Sequence, residues 1–482
     1  MEVHDTQPAN FIAGAWKPST RTYQRENPAK PSEIIAVYPS AGTDEGLEAL
    51  RAAGAGAAAW RQASPPERAR VMQKAASLLE ARLADVTTAI AREVGKPVSE
   101  AHGEVQRAVD ILRYYAGYGL QPQGYVVAST RPHTQLTTLR VPLGVVALIT
   151  PWNFPIAIPA WKAAPALITG NAIVLKPSSL GPAGALHLAD ALATAGLPAG
   201  VFNVVVGPGT PFGQALRQAA DLKAVSFTGS SEVGRHLHAE LGSSLVRVQM
   251  ELGGKNVYCV WDDADLEAAA QQAAYGAFGY AGQKCTATSR VLVHASVYDR
   301  FREAFVAATR KLHVGDPLDE RTAVGPLIDR SSLDRVEGAV RRAVTAGGRV
   351  LAGGDRAPDL EGYFFAPTII EGLDPGSELA QEEVFGPVVT LHPVGSLDEA
   401  IGLANGTRYG LAASVSTRSL AVADAFVQNV QAGLVHVNQP TAGVEYHVPF
   451  GGTKESGVGP KEQGWSAIDF FSDWKTAVIS AF

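Results

Sequence analysis

The sequence predicts an α/β protein of two domains that share a cleft, and three observations carry that reading. Apolar runs of strand length, Val145 to Thr150, Ala172 to Leu175, Val201 to Val206 and Ala224 to Phe227, alternate with helical stretches from Pro182 to Ala195 and Pro211 to Ala220. This rhythm predicts an open parallel sheet with its ligand site at the strand ends. A second α/β rhythm follows Gly254, with strands at Val291 to Val293 and Val388 to Val394 and a helix from Val297 to Leu312. At 482 residues the chain exceeds what one hydrophobic core usually organises, and no repeat or low-complexity linker separates the halves.

The N-terminal elements read as helices from Thr43 to Gly95. The second opens on Ser64, with Pro65 at its first position and Glu67 where a capping box needs a carboxylate, and Gly95 is its stop. A further helix is predicted from about Ser99 to Tyr115, ended by Gly117 and Gly119. The most apolar stretch, Phe154 to Leu175, contains Pro155, Pro159, Lys162, Pro165 and Gly170, which argues against a membrane helix.

Bulk properties exclude several classes. A hydrophobic fraction of 46% with 18% charged residues is that of a globular chain rather than a disordered one. A net charge of −6 without a Lys/Arg block argues against nucleic-acid partners and a polybasic membrane patch, leaving small molecules. Residues Met1 to Lys17 lack the basic start and apolar core of a secretory signal, and the only cysteines, Cys259 and Cys285, make neither a disulfide framework nor an all-cysteine metal site. The expectation is a cytoplasmic protein with no bound metal.

Three segments carry chemistry. In Gly282-Gln283-Lys284-Cys285-Thr286 a lone cysteine stands beside a lysine and a candidate helix start, and either feature lowers a thiol pKa towards the nucleophilic thiolate. In Glu251-Leu252-Gly253-Gly254-Lys255-Asn256 a carboxylate after Val248 and Met250 precedes a glycine pair that permits close backbone approach, a setting for a base that activates water. In Thr150-Pro151-Trp152-Asn153-Phe154-Pro155 a proline-fixed turn at a strand's carboxyl end presents the Asn153 amide as an oxyanion donor. Taken singly, each has a plain alternative: a buried structural cysteine, a salt-bridged glutamate, a turn asparagine.

Together with Lys176-Pro177-Ser178, Phe227-Thr228-Gly229-Ser230 and Glu382-Glu383-Val384-Phe385-Gly386-Pro387, these segments resemble the aldehyde dehydrogenase superfamily in identity, order and spacing, from about Asn10 to Ile479. The resemblance implies a Rossmann-type cofactor domain (residues 1–122 and 143–253), an α/β catalytic domain (254–468) and a small β oligomerisation flap (123–142 and 469–482). It implies Cys285 as nucleophile, Glu251 as general base, and Asn153 with the Cys285 N–H as oxyanion hole. Thiolate attack on an aldehyde would give a thiohemiacetal, hydride loss to a nicotinamide would leave a thioester, and water would release the acid. Relatives that pass the acyl group to coenzyme A typically lack a glutamate at this position, so Glu251 argues for hydrolysis. A non-catalytic relative that kept the fold is the reading outside the enzyme class, and the intact trio disfavours it.

For the cofactor, the glycine run from Gly207 to Gly213 is an imperfect dinucleotide fingerprint, with its last glycine one place late. The resemblance instead implies that Gly229 and Ser230, at a helix start, meet the pyrophosphate. Trp152 and Val233 would flank the cofactor, Ile149 and Leu252 would line it, Lys176 and Ser179 would meet the adenosine ribose, and Glu383 and Phe385 the nicotinamide ribose and ring. Ser179 stands where members that prefer NAD often carry a glutamate, so NADP is favoured, with NAD still possible. The segment from Asn438 to Gly452 and the run Ile156 to Lys162 resemble α-ketoglutaric semialdehyde dehydrogenases, which implies 2,5-dioxopentanoate as substrate. Betaine-type, succinic semialdehyde and general aliphatic aldehyde oxidation stay open. A carboxylate-bearing substrate calls for a tunnel cation, for which Arg107 is the candidate, and Tyr114, Trp161, Thr441 and Phe450 are candidate wall residues. Strand-like Val126, Val127 and Thr137-Thr138-Leu139, with an apolar tail from Ala477 to Phe482, predict a homodimer or homotetramer.

Overall fold

The computed structural model describes residues 8–480 and is α/β throughout. Its first sheet has eight strands. The central five run Phe202–Val204, Ala172–Pro177, Val145–Thr150, Leu222–Thr228 and Arg247–Glu251, all parallel. Antiparallel strands complete it: Ala9–Ile12 and Ala15–Pro18 at one edge, Gly457–Val458 at the other. Helices cover both faces, as parallel sheets require. Thr43–Gln62 and Gly209–Gln218 pack with one core cluster, and Pro65–Ala81, Val98–Ala116, Ala157–Ile168 and Ala183–Ala195 with the other.

The second sheet has seven strands in the order Arg349–Ala352, Thr368–Glu371, Val388–Val394, Thr288–His294, Asn256–Val260, Ala412–Ser416 and Leu434–Val437, parallel except at its first pair. A third sheet pairs Gly124–Val127, Thr134–Pro142 and Ser472–Ser480 antiparallel. The last strand thus returns to the hairpin far upstream of it. Residues Met1 to Gln7 and the tail's Ala481 and Phe482 lie outside the described residues.

One local expectation needs correction. The helical stretch after Ser64 is two helices, Pro65–Ala81 and Leu83–Val94, broken at Arg82, whose backbone leaves the helical region and whose guanidinium is tied to Asp190 at 2.6 Å. Its start is as read: the Ser64 N–H donates to the Glu67 carboxylate at 2.6 Å, and Gly95 ends the second helix at φ 71°. Ala157–Ile168 continues through Pro165 as a fully buried helix of 12 residues, and among the described residues no helix is long and apolar enough to cross a membrane.

Candidate active site

The three segments converge at strand ends and turns around one cleft, which Asn153, Cys285, Leu252 and Gly253 line, while Glu251 is buried behind the lining. Asn153 follows strand Val145–Thr150, and Glu251 ends strand Arg247–Glu251 on the same sheet. Cys285 belongs to a turn between Gly279–Gly282 and the strand Thr288–His294 of the second sheet. That turn reverses sharply: Tyr280, Ala281 and Gly282 all have left-handed φ, and a Cβ on Gly282 would stand 2.3 Å from the Gly386 carbonyl.

Its carbonyls are bonded one after another. Asn153 Nδ2 donates to Gln283 O at 3.0 Å, Asn256 Nδ2 to Cys285 O and Ala287 O at 2.8 Å each, and Thr441 Oγ1 to Thr286 O at 2.7 Å. Among the described residues nothing accepts from the Cys285 N–H. That N–H and the second N–H of the Asn153 amide are therefore the donors still available to a developing oxyanion.

The thiol's electrostatics overturn the sequence argument for its activation. No helix starts at Cys285, and the Lys284 ammonium turns to Glu100 at 2.9 Å and to the Tyr275 ring. Burial instead pushes the Cys285 thiol well up, and the Glu383, Glu251 and Glu462 carboxylates push it further, against one opposing backbone N–H from Thr286. Burial likewise raises Glu251 well above the usual carboxylate range, reinforced by Glu462. Lys461, Lys162 and the Gly452 N–H, which donates to it at 3.1 Å, pull it down. Glu383 is raised by burial to about 7, opposed by the Gly254 N–H at 3.1 Å. Cys259 is a core residue whose thiol burial lifts to about 12.

Cys285 lines two cavities. The first, about 600 Å³, is also lined by Trp152, Asn153, Gly229, Ser230, Leu252, Glu383 and Phe385. It fits a dinucleotide. Ser230 caps the helix Ser231–Leu241 by accepting from the Val233 N–H, which aims that helix's free N–H groups at the cavity. Gly253 leaves the room that the Glu383 carboxylate occupies, 2.1 Å from where a Cβ would stand, and Trp152 meets Phe385 edge to face at 5.6 Å.

Four expected cofactor residues stand outside this lining. Val233 is half-exposed, and Ile149 lies within the strand Val145–Thr150. The Lys176 ammonium, lowered by burial to about 8, donates to Pro177 O at 3.0 Å, and Ser179 Oγ donates to Gly207 O at 2.8 Å. Leu180, next to Ser179 in the chain, is part of the lining.

The second cavity, about 440 Å³, is lined by Arg107, Trp161, Phe450 and Gln463 besides Cys285. Tyr114 and Thr441 are not part of it. Tyr114 lines a separate cavity of about 540 Å³ and packs against Tyr115, Tyr118 and Tyr446. Thr441 is buried behind the Cys285 turn, bonded to Thr288 Oγ1 at 2.8 Å and to the Thr286 carbonyl.

Sequence reasoning missed two buried polar systems. Lys162 pairs with Glu462 and donates to Ser226 Oγ at 2.6 Å, Ser226 donates to Gln249 Oε1 at 2.6 Å, and Gln249 reaches Glu251 at 3.4 Å. Lys96 pairs with Glu104 and donates to the Asn153 carbonyl at 2.7 Å, while Glu104 accepts from the Ile156 and Ala157 N–H groups at 3.0 and 3.1 Å. Lys162 and Glu462 come from distant parts of the chain, whereas Lys96 and Glu104 are eight residues apart. The one sequence signal was a charged residue inside an apolar stretch, Lys162 in the run after Asn153.

Residues 16–477 match the aldehyde dehydrogenase family. The chain is 43% identical to an alpha-ketoglutarate semialdehyde dehydrogenase of Haloferax volcanii, over 98% of both chains. It is 40% identical to an alpha-ketoglutaric semialdehyde dehydrogenase of Bacillus subtilis, over 98% of this chain and 97% of that one. Among solved structures, an NAD-dependent aldehyde dehydrogenase from Sinorhizobium meliloti superposes with a TM-score of 0.96 at 35% identity, over 98% of this chain and 95% of that one.

Proposed function

The chain belongs to the aldehyde dehydrogenase family and oxidises an aldehyde, and from that premise we propose that its substrate is 2,5-dioxopentanoate, released as 2-oxoglutarate. The observation that carries the mechanism is the position of Cys285 as the one wall common to a dinucleotide-sized cavity and a tunnel. A nucleophile there meets an aldehyde from one side and a cofactor from the other.

In this reading the Cys285 thiol gives up its proton to solvent, the thiolate adds to the aldehyde carbon, and the new oxyanion takes hydrogen bonds from the Cys285 N–H and the Asn153 amide. A nicotinamide cofactor, when bound, supplies the two-electron acceptor for the adduct's C–H bond. Cys285 then carries a thioester. Glu251, buried and held at Gly452, takes a proton from the attacking water; the water oxygen bonds to the acyl carbon, and sulfur leaves.

Family members use NAD(P), and NADP is the proposed preference. Ser179 brings no carboxylate to repel a 2′-phosphate, and Lys176 lies three residues before it on the same strand end. Assembly as a homodimer or homotetramer is proposed from the third sheet, where Tyr125, Val126, Trp474, Val478 and Ile479 are exposed. The deciding experiment is steady-state kinetics with 2,5-dioxopentanoate, succinic semialdehyde, betaine aldehyde and a simple aliphatic aldehyde, each with NAD and with NADP. The expected result is the highest kcat/KM for the dioxo acid with NADP. A neutral or quaternary-ammonium aldehyde as best substrate overturns the substrate reading, and a preference for NAD the cofactor reading.

A further inference from the structure

The tunnel wall opposite Cys285 carries two donors that nothing in the fold answers. Arg107, on the helix Val98–Ala116, reaches Gln463 Oε1 through Nη2 at 3.4 Å, and its buried Nε has no partner. Gln463 is fully buried, lines the same cavity, and its Nε2 is likewise unpartnered. Unanswered donors in so dry a place are costly, which marks them as reserved for a ligand.

Two further facts point the same way. Gln463 holds φ 60° and ψ 175°, a conformation that side chains avoid. Its neighbour is locked on both sides: Glu462 exchanges backbone hydrogen bonds with Phe450 at 2.6 and 2.7 Å, and its carboxylate pairs with Lys162 and accepts from Trp161 Nε1 at 2.7 Å. The strain is thus imposed to keep the Gln463 amide on the tunnel wall. Charge is the other fact. Lys284, the tunnel's other cation, is paired with Glu100, and Glu104 is paired with Lys96. Among the described residues no carboxylate lies within ion-pair reach of Arg107; Glu445, which is exposed, and Glu104, which is paired with Lys96, act on it only from a distance.

We propose that Arg107 and Gln463 form a two-part lock for a 2-oxo acid: the guanidinium takes the substrate's carboxylate, and the Gln463 amide N–H its 2-oxo oxygen. The division follows from chemistry. A planar cation with several donors suits a carboxylate, and a neutral amide that shares the tunnel lining with Trp161 and Phe450 suits a neutral carbonyl. The inference rests on the 2,5-dioxopentanoate reading and deepens it, because it separates that substrate from a plain ω-semialdehyde by one hydrogen bond.

The test uses three aldehydes of equal length: 2,5-dioxopentanoate, 5-oxopentanoate, which lacks the 2-oxo group, and pentanal, which lacks both groups. Ratios of kcat/KM are taken within one preparation of the whole enzyme, so any inactive fraction cancels. Gln463→Met is expected to cut the preference for the dioxo acid over 5-oxopentanoate by about tenfold while keeping the preference for 5-oxopentanoate over pentanal. Arg107→Met is expected to cut that second preference by about 10- to 100-fold, the range for a hydrogen bond to a charged group. Gln463→Glu, which sets a carboxylate beside Arg107 and also removes the amide donor, should cut both preferences. Unchanged ratios in Gln463→Met or in Arg107→Met overturn the lock. A wild-type enzyme that favours 5-oxopentanoate, with that preference lost in Arg107→Met, overturns the Gln463 half and the substrate reading together but upholds the carboxylate half. A wild-type enzyme that favours pentanal overturns both halves.

Discussion

Replacing Lys96 by Met tests whether the buried charges behind Asn153 serve catalysis or only the fold. Lys96 is fully buried, and its ammonium meets the Glu104 carboxylate, the Asn153 carbonyl at 2.7 Å, and the faces of Phe154 at 3.8 Å and Tyr280 at 4.5 Å. Methionine keeps the length and loses all the polar contacts. Removing one partner of a buried pair costs about 3–5 kcal/mol, because the other charge is left uncompensated. Here the loss falls at the low end, about 3 kcal/mol, since Glu104 keeps two backbone N–H partners. The double variant Lys96→Met, Glu104→Gln removes the stranded charge and should be more stable than the single one, which thermal unfolding reads directly.

The catalytic effect has a separate measure. Asn153 is the proposed oxyanion donor, and loss of such a donor costs about 10²–10³ in kcat, so loosening its backbone carbonyl should cost at least tenfold and no more than that ceiling. Because Lys96 does not line the tunnel, KM should move little. If the double variant recovers stability and its kcat stays within twofold of wild type, Lys96 supports only the fold and the positioning argument fails.

Three further outcomes are expected. Alkylation of Cys285 by iodoacetamide in cofactor-free enzyme should keep accelerating with pH through about 9.5, because the raised thiol ionises late; a plateau near the ordinary value of about 8.5 contradicts the three-carboxylate argument. Glu251→Gln should still release about one equivalent of reduced cofactor per active site in a rapid burst, then turn over about 10²–10⁴-fold more slowly, the range for losing a general base. Abolition of the burst would move Glu251 to the first half-reaction. Ser179→Glu should shift the kcat/KM ratio from NADP towards NAD by like-charge repulsion, and an unchanged ratio removes Ser179 from cofactor selection.

The backbone was largely legible because period and punctuation are local. Strands Val145–Thr150 and Val388–Val394 lie where the apolar runs placed them, and Ser64, Glu67 and Gly95 mark real helix ends. The motif segments also revealed which residues share the cleft. What sequence could not supply is how a side chain is answered across the fold. Val233 sits one step from the capped turn that lines the cofactor cavity, yet helical rotation exposes it. Thr441 lies in a segment that contributes Ala442 and Gly443 to the tunnel, yet its hydroxyl turns back to hold the Cys285 turn. Lys162 and Glu462 pair across 300 residues, and no local pattern announces a pair of that kind.

The same lesson decides how Cys285 becomes a nucleophile. Adjacency in sequence pointed to Lys284, but a pKa answers to distance in space, and Glu100 has claimed that ammonium. What acts on the thiol is burial first and then the Glu383, Glu251 and Glu462 carboxylates, and all of these favour the neutral thiol. A ligand that brings a positive charge beside the sulfur would offset them. An oxidised nicotinamide ring carries one and a reduced ring does not, so a cofactor in the cavity that Glu383 and Cys285 share would favour the thiolate only when it is ready to accept electrons. Saturating oxidised cofactor should therefore speed alkylation of Cys285 at neutral pH, and the reduced form should not. Equal effects of the two forms, or none, would mean that the thiol's proton is drawn off by a protein base instead.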